Sequence, residues 1–199
     1  MGRSKEGKTS LYTLDISKNN IASQLRNYYK LNKYGPPADN WLTDANANIR
    51  LGYGFDESDK KNKVWYKKGN RNSFKLIWEG AESVEFLPVL VSKDNSSLFV
   101  ITNAQGNYKA LYKYDIETQQ FVDKVFEVQD TDLTSVIYNT NKDEILGVSY
   151  VQNGFVQHSY FNRLEKSFEL NLTQSINDSN PYIVDYNLAK DMLIVQTSD

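Results

Sequence analysis

Hydrophobic residues recur along the chain at a fixed step of 47 residues. Two sets keep this step inside apolar, strand-like runs: Phe74, Phe121 and Phe168, and Leu51, Leu98 and Ile145. Polar turns separate these runs, as in the segment between Val91 and Leu98. A period of about 40–50 residues carried by short strands is typical of a β-propeller, in which each repeat forms one four-stranded antiparallel blade. The pattern therefore predicts a mainly β chain.

The order of strands and turns predicts where the blades begin and end. Three whole blades are expected over about residues 40–80, 84–128 and 131–176. Partial blades are expected over residues 8–27 and 179–199. We therefore predict that residues 1–199 form a single partial β-propeller domain, which is cut within a blade at both ends.

One segment departs from the strand pattern. Four apolar residues recur there at every fourth position: Leu164, Phe168, Leu172 and Ile176. Asn162 followed by Glu165 also fits a helical capping box. The 47-residue register of Phe168 favours a strand instead, but the helical spacing rests on four residues rather than one. We predict a short helix over about residues 163–176, where the earlier blades have their outer strand.

Composition excludes several classes of site. The chain has no cysteine, so disulfides, thiolate zinc sites and cysteine nucleophiles are excluded. Its formal net charge of −2 gives no broad electrostatic case for binding nucleic acid or an anionic membrane. No run approaches the roughly 18 apolar residues of a transmembrane helix. The 14 Tyr, 9 Phe and 3 Trp favour β structure.

The first residues match a phosphate-binding pattern. The run from Gly2 to Thr9 fits G-x-x-x-x-G-K-[ST], whose chemistry needs a preceding strand and a following helix. The residues that follow, Leu11 to Ile16, are strand-like instead. We interpret the run as a charged hairpin turn between two strands and not as a nucleotide site.

Ser149 and His158 are candidates for nucleophilic catalysis. A hydrolase nucleophile stands in G-x-S-x-G on a strained strand-to-helix turn. The nearest string, Gly147 to Val151, lacks the second glycine and falls inside a predicted strand. His158 is the only histidine, so any histidine-based triad must use it. We interpret Ser149 as an ordinary strand residue and His158 as a packing or surface residue.

Acidic clusters and tryptophans are interpreted structurally. Asp56-Glu57-Ser58-Asp59 precedes three lysines that compensate its charge: Lys60, Lys61 and Lys63. Asp130 and Asp132 fall in a predicted loop between blades, and neither acidic group has the spacing of a calcium loop. Three tryptophans at strand positions are expected to fill space between blades: Trp41, Trp65 and Trp78. We therefore predict no catalytic, cofactor-binding or metal-binding residue in this chain.

Two motifs in the second predicted blade resemble a known family. Residues 91–100 are similar to the "S-x-D-G-x-x-L-x-V" step in propellers of the prolyl oligopeptidase family, with Asn95 at the position of the turn glycine. Residues 103–115 are similar to its "S-N-R-x-G-x-x-A-L-Y-x-x-D" segment. The third predicted blade resembles bacterial members grouped with dipeptidyl and acylaminoacyl peptidases, in which a helix often follows this blade. Related steps also occur in other propellers, including TolB-like ones.

The resemblance implies a serine peptidase in which a propeller caps an α/β-hydrolase domain. In that family the catalytic Ser, Asp and His belong to the hydrolase domain, so no catalytic role carries over to this chain. The propeller restricts the access of large substrates to the enclosed site. The expected function is therefore the gating and selection of peptide substrates, with the hydrolase domain and the peptide as partners.

Two alternatives and one structural consequence remain at this stage. The chain could be a stand-alone or TolB-like propeller that serves as a binding module. A propeller that is itself an enzyme would need carboxylates on its innermost strands, and Leu133 to Tyr138 and Phe86 to Val91 offer none. Exposed blade edges predict self-association, unless residues 11–25 pair with residues 181–197 and close a four-blade ring.

Overall fold

The computed structural model describes residues 2–3, 9–11, 17, 35–139, 141–176, 181–187 and 192–197. Within these residues the chain is mainly β, with antiparallel sheets and one short helix. The chain divides into two compact units, which are described separately: Met1–Asn107 with Leu111–Phe126, and Tyr108–Ala110 with Glu127–Asp199. No helix in the described ranges is long and apolar enough to cross a membrane.

The first unit begins with a short strand pair and one four-stranded sheet. Strands β1 (Gly2–Arg3) and β2 (Thr9–Ser10) pair antiparallel. The sheet, called sheet I, has four strands in chain order: β3 (Asn40–Thr43), β4 (Ile49–Asp56), β5 (Lys61–Tyr66) and β6 (Lys75–Ala81). Burial of Ile49 and Leu51, two residues apart, places one face of β4 in the core.

Sheet II repeats this architecture and, except for Ala110, also belongs to the first unit. Its four strands again follow chain order: β7 (Phe86–Val91), β8 (Ser97–Thr102), β9 (Ala110–Asp115) and β10 (Gln120–Phe126). The middle strands are the most buried, with Leu98 and Leu111 fully enclosed. Pro88 is tolerated because β7 is an edge strand of the sheet.

Sheets I and II lie against one another through aromatic side chains. The first strands of the two sheets, β3 and β7, are neighbours. Trp78 of β6 stacks on Phe86 of β7, with ring centroids 4.4 Å apart. Phe86 also meets the edge of Tyr114 in β9 at 5.3 Å. The Tyr114 hydroxyl donates a buried hydrogen bond of 2.7 Å to the Ile77 carbonyl oxygen of β6.

Amide side chains fix the connection between the two sheets. Asn62 Nδ2 donates to the Val84 carbonyl oxygen at 3.1 Å. Asn103 holds the same connection from the other side, because its Oδ1 accepts the Glu85 N–H at 2.9 Å and its Nδ2 donates to the Ser83 carbonyl oxygen at 3.1 Å. The chain between β6 and β7 is therefore tied to both sheets.

The second unit contains a three-stranded sheet, a helix and a strand pair. Sheet III has three strands in chain order: β11 (Leu133–Tyr138), β12 (Ile145–Gln152) and β13 (Phe155–Tyr160). Helix α1 (Arg163–Ser175) follows, and then β14 (Tyr182–Asn187) pairs with β15 (Met192–Gln196). Leu146, Tyr160 and Ile183 form a buried cluster, against which Phe168 of α1 packs.

The predicted helix is confirmed at nearly the expected bounds. Phe168 lies in α1, so the helical spacing was the better guide than the 47-residue register. Phe74 and Phe121, in contrast, lie just before β6 and in β10, the fourth strands of sheets I and II. The helix thus follows sheet III at the point in the repeat where a fourth strand is expected. The side chain of Glu165, and with it the predicted capping box, lies outside the described residues.

One backbone conformation recurs in sheets I, II and III although the residue that adopts it differs. The turn between the first and second strands contains a residue of positive φ in each sheet: Ala47 (φ 59°), Asn95 (φ 57°) and Lys142 (φ 55°). Polar side chains close the same turns, since Asp44 Oδ1 accepts the Asn48 N–H and Asn139 Oδ1 accepts the Asp143 N–H. The repeat is therefore present in the backbone of three different turn sequences.

The mainly β class, the four-stranded antiparallel sheets and the short helix are confirmed. Leu51, Leu98 and Ile145 lie in β4, β8 and β12, the second strand of each sheet. The described sheets are all open, so the propeller itself stays a prediction. The suggested ring closure cannot be followed, because most of residues 11–25 lie outside the described residues.

Candidate functional site

A cleft of about 470 Å³ opens between sheets I and II of the first unit. One wall comes from the end of β5, the loop after it and the start of β6. The other wall comes from the β7–β8 turn and the β9–β10 turn. Leu76, Ile77 and Ile116 contribute its apolar lining. A volume of this size falls in the range of small-molecule sites, about 300–1,000 Å³.

The β7–β8 turn is rigid on the cleft side. Asp94 accepts hydrogen bonds from Ser92 Oγ at 2.6 Å and from Ser96 Oγ at 2.8 Å. Asn95 adopts positive φ, and its carbonyl oxygen accepts a hydrogen bond from the Tyr66 hydroxyl at 3.0 Å. The hydrogen bonds from Ser92 and Ser96 hold the pKa of Asp94 at about 2, so this carboxylate is charged at neutral pH.

The β9–β10 turn places a second carboxylate in the cleft. Asp115 Oδ1 accepts hydrogen bonds from the Thr118 N–H at 2.7 Å, the Thr118 hydroxyl at 2.9 Å and the Glu117 N–H at 3.0 Å. These bonds, that of the Thr118 N–H first, lower the pKa of Asp115. The turn is joined to its neighbour because the Ile116 N–H donates to the Ser96 carbonyl oxygen at 3.0 Å.

The chemistry of the cleft is that of binding. Asp94 and Asp115 stay ionised near neutral pH, so neither is suited to donate a proton as a general acid. Lys68 and Lys75 bring positive charge to the opposite wall. Asn95 also lines the cleft, but its Oδ1 is buried and is not reachable from the cleft. The carboxylates and lysines can orient a polar ligand over an apolar surface.

The glycine-rich run at the start of the chain forms antiparallel pairs. Gly2 is opposite Ser10 and Arg3 is opposite Thr9, which is the register of a hairpin. A phosphate site would instead need a helix to begin at the end of this run. The pairing agrees with the predicted hairpin, whose turn at residues 4–8 lies outside the described residues.

Ser149 and His158 are brought together by sheet III. Ser149 Oγ lies 2.9 Å from His158 Nδ1, across the β12–β13 pair. Burial lowers the pKa of His158, so the imidazole is neutral at neutral pH. Ser149 is only 6% exposed and stands in mid-strand, whereas a nucleophile needs substrate access and nearby oxyanion donors. The pair is therefore best described as a buried cross-strand contact.

Sequence reasoning considered these two residues separately and missed their pairing. The signal was Asn153-Gly154, which has positive φ at both residues and forms the two-residue turn between β12 and β13. A two-residue turn at that position fixes the hairpin register and sets residue 149 opposite residue 158.

The acidic clusters lie in charge-compensated turns. Lys63 Nζ contacts Asp56 at 2.9 Å and Asp59 at 2.5 Å. Lys109 contacts Asp132, whose Oδ1 accepts the Lys109 N–H at 2.6 Å. No group of three or more His, Cys, Asp or Glu side chains that could hold a metal ion occurs among the described residues.

The tryptophans differ in their surroundings. Trp78 fills the space between sheets I and II, as predicted, through its stack on Phe86. Trp41 meets Phe74 edge to face at 5.6 Å, which is a contact at sheet I itself. Trp65 lies opposite Gly52 in the β4–β5 pair. None of the three is among the residues that line the cleft.

Compared with known proteins, the chain matches no family model, and no curated protein and no solved structure matches it significantly. The resemblance to the prolyl oligopeptidase family therefore still rests on the two motifs of residues 91–115. The cleft is the functional feature that the structure adds to them.

Proposed function

We propose that sheets I and II are consecutive blades of a β-propeller, and that the chain is the non-catalytic, gating part of a serine peptidase. The observation that supports the blade arrangement is the position of β3 and β7, whereas the peptidase role rests on the sequence resemblance of residues 91–115. Strands β3 and β7 are the first strands of two successive four-stranded sheets, and they lie side by side. Innermost strands of neighbouring blades have this relation around a propeller axis.

The departure from the family motif at Asn95 is compatible with the proposal. Asn95 stands where the family has glycine, and its φ of 57° is one that glycine adopts freely. Asparagine is among the few other residues that visit this region readily. The turn therefore keeps the conformation that a glycine would favour, which supports the resemblance at that position.

In the proposed propeller, gating has a physical basis. A rigid ring placed over an enclosed site admits short peptides and excludes large or folded ones. The packing of Trp78 on Phe86 and the bond from Tyr114 to Ile77 make sheets I and II resistant to separation. Such rigidity is what a size filter needs.

The first test is the complete reading frame that encodes this chain. The proposal expects a G-x-S-x-G segment followed by Asp and His in a hydrolase domain. A reading frame without them would exclude the peptidase role.

The second test uses the full-length protein with the substitution Trp78→Leu. Loosened packing between the sheets should raise cleavage of a large protein substrate such as casein, while hydrolysis of a short chromogenic peptide stays the same. Equal size selectivity in the variant and the parent would contradict gating. Val122→Ala, an exposed position in β10 at the opposite edge of sheet II from β7, serves as the control.

A binding module without a hydrolase is the second candidate, and the cleft between sheets I and II favours it. Its charged walls and apolar lining suit ligand capture rather than exclusion. This candidate expects the reading frame to end within one further ring of blades.

A further inference from the structure

We propose that the cleft between sheets I and II binds a small zwitterion, with its ammonium group at the sheet II turns and its acid group at the lysines of sheet I. The inference concerns the first unit alone. It holds whether or not a hydrolase domain accompanies the chain.

The sheet II wall is suited to an ammonium group. Asp94, Asp115 and Glu117 all line this wall. Asp115 uses Oδ1 for all three of its turn hydrogen bonds, and no donor from the described chain reaches its Oδ2. Glu117 is exposed and forms no ion pair with a described residue. An ammonium group brings three donors to such acceptors.

The sheet I wall is suited to an acid group. Lys68 and Lys75 are exposed at the cleft, and within the described ranges neither is in an ion pair. Two other lysines of sheet I are already in ion pairs, Lys60 with Glu57 and Lys61 with Glu79. The cleft lysines are thus available for an anionic ligand group.

The opposition of the two walls selects the ligand class. An anion alone would also face the carboxylates of sheet II, and a cation alone would also face the lysines of sheet I. A molecule that carries both charges can satisfy both walls and lay an apolar body on Leu76 and Ile116.

The walls are held before any ligand arrives. The Tyr66 hydroxyl fixes the Asn95 carbonyl oxygen at 3.0 Å, which links sheet I to the β7–β8 turn. The bond from the Ile116 N–H to the Ser96 carbonyl oxygen links the two turns of sheet II. Binding to such a surface loses little conformational entropy.

The test is calorimetric titration of the purified chain with leucyl-leucine and its two blocked forms. N-acetyl-leucyl-leucine lacks the ammonium group, and leucyl-leucine amide lacks the carboxylate. The free dipeptide is expected to bind, and the Kd of each blocked form is expected to be at least about tenfold higher. Equal binding of all three, or no binding of the free dipeptide, would overturn the proposal.

Two variants assign each end of the ligand to a wall. Glu117→Gln should weaken binding of the free dipeptide and remove most of the affinity difference between the free and the acetylated form. Lys75→Gln should weaken binding of the free dipeptide and remove most of the affinity difference between the free and the amidated form. Glu82→Gln and Lys93→Gln are charge-matched controls at exposed positions outside the cleft lining. Cleft variants that bind like these controls would refute the assignment, whatever the reading frame encodes.

Discussion

Tyr114→Phe is the sharpest test of how sheets I and II hold together. The β5–β6 pairing skips one residue, because Val64 is opposite Trp78 while Trp65 is opposite Leu76. Ile77 is therefore the extra residue of a β-bulge, and the Tyr114 hydroxyl donates to its carbonyl oxygen at 2.7 Å. Burial raises the pKa of Tyr114 to about 12, so the hydroxyl remains a donor across the usual pH range.

Removal of this hydroxyl leaves a buried carbonyl without its donor. The cost of an unsatisfied buried polar group is about 1–3 kcal/mol, and we expect a loss of that size in the free energy of unfolding. Phenylalanine keeps the ring, so the edge contacts with Phe86 and Phe121 are retained. The loss should therefore report the hydrogen bond rather than the packing.

Urea denaturation followed by tryptophan fluorescence measures this loss, because Trp78 lies in the same interface. Tyr112→Phe is the matched control, since Tyr112 is a neighbour on β9 whose ring also packs on Phe121. Its hydroxyl has no hydrogen-bond partner among the described residues, and its removal should stay within about 0.5 kcal/mol. If Tyr114→Phe costs no more than this control, the bulge carbonyl does not depend on Tyr114.

Three further outcomes are expected. Lys142→Gly should raise the thermal midpoint, because lysine at φ 55° costs about 1–2 kcal/mol and glycine does not, whereas Asn95→Gly should change it less. Gly147→Ala should cost about 1–3 kcal/mol in urea denaturation, since a Cβ would collide with the Ser159 carbonyl oxygen. Burial lowers the pKa of His158 below its unfolded value of 6.5, so the stability that the neutral imidazole contributes above pH 6.5 is lost as the pH falls through the lowered pKa. The thermal midpoint of His158→Gln should therefore depend less on pH between about 7 and 5. A lower midpoint for Lys142→Gly, an unchanged Gly147→Ala or an unaltered pH profile would contradict the respective argument.

The periodicity of apolar residues predicted much of the fold because it reports burial. Leu51 and Leu98 are fully buried in second strands, so this position meets the same environment in sheets I and II, whereas Ile145 of sheet III is only half-buried. Helix α1 was predictable because residues four apart share a helical face. The positive-φ turns at Ala47 and Lys142 were not, because neither alanine nor lysine marks this conformation as Asn95 does.

The cleft could not be predicted from the sequence, for a different reason. Asp94 and Asp115 each belong to a turn that the sequence predicts on local grounds. That they line one cleft with Lys68 and Lys75 depends on how sheet I packs on sheet II, which is decided by contacts such as Trp78 with Phe86. No local pattern reports that geometry.

The amide bonds of Asn62 and Asn103 have a mechanical consequence. Because these side chains hydrogen-bond to the segment between β6 and β7 from both sheets, a hinge motion at that segment would have to break these bonds. A seam between sheets I and II would open only after several hydrogen bonds had broken together. We therefore expect sheets I and II to move together as one rigid body.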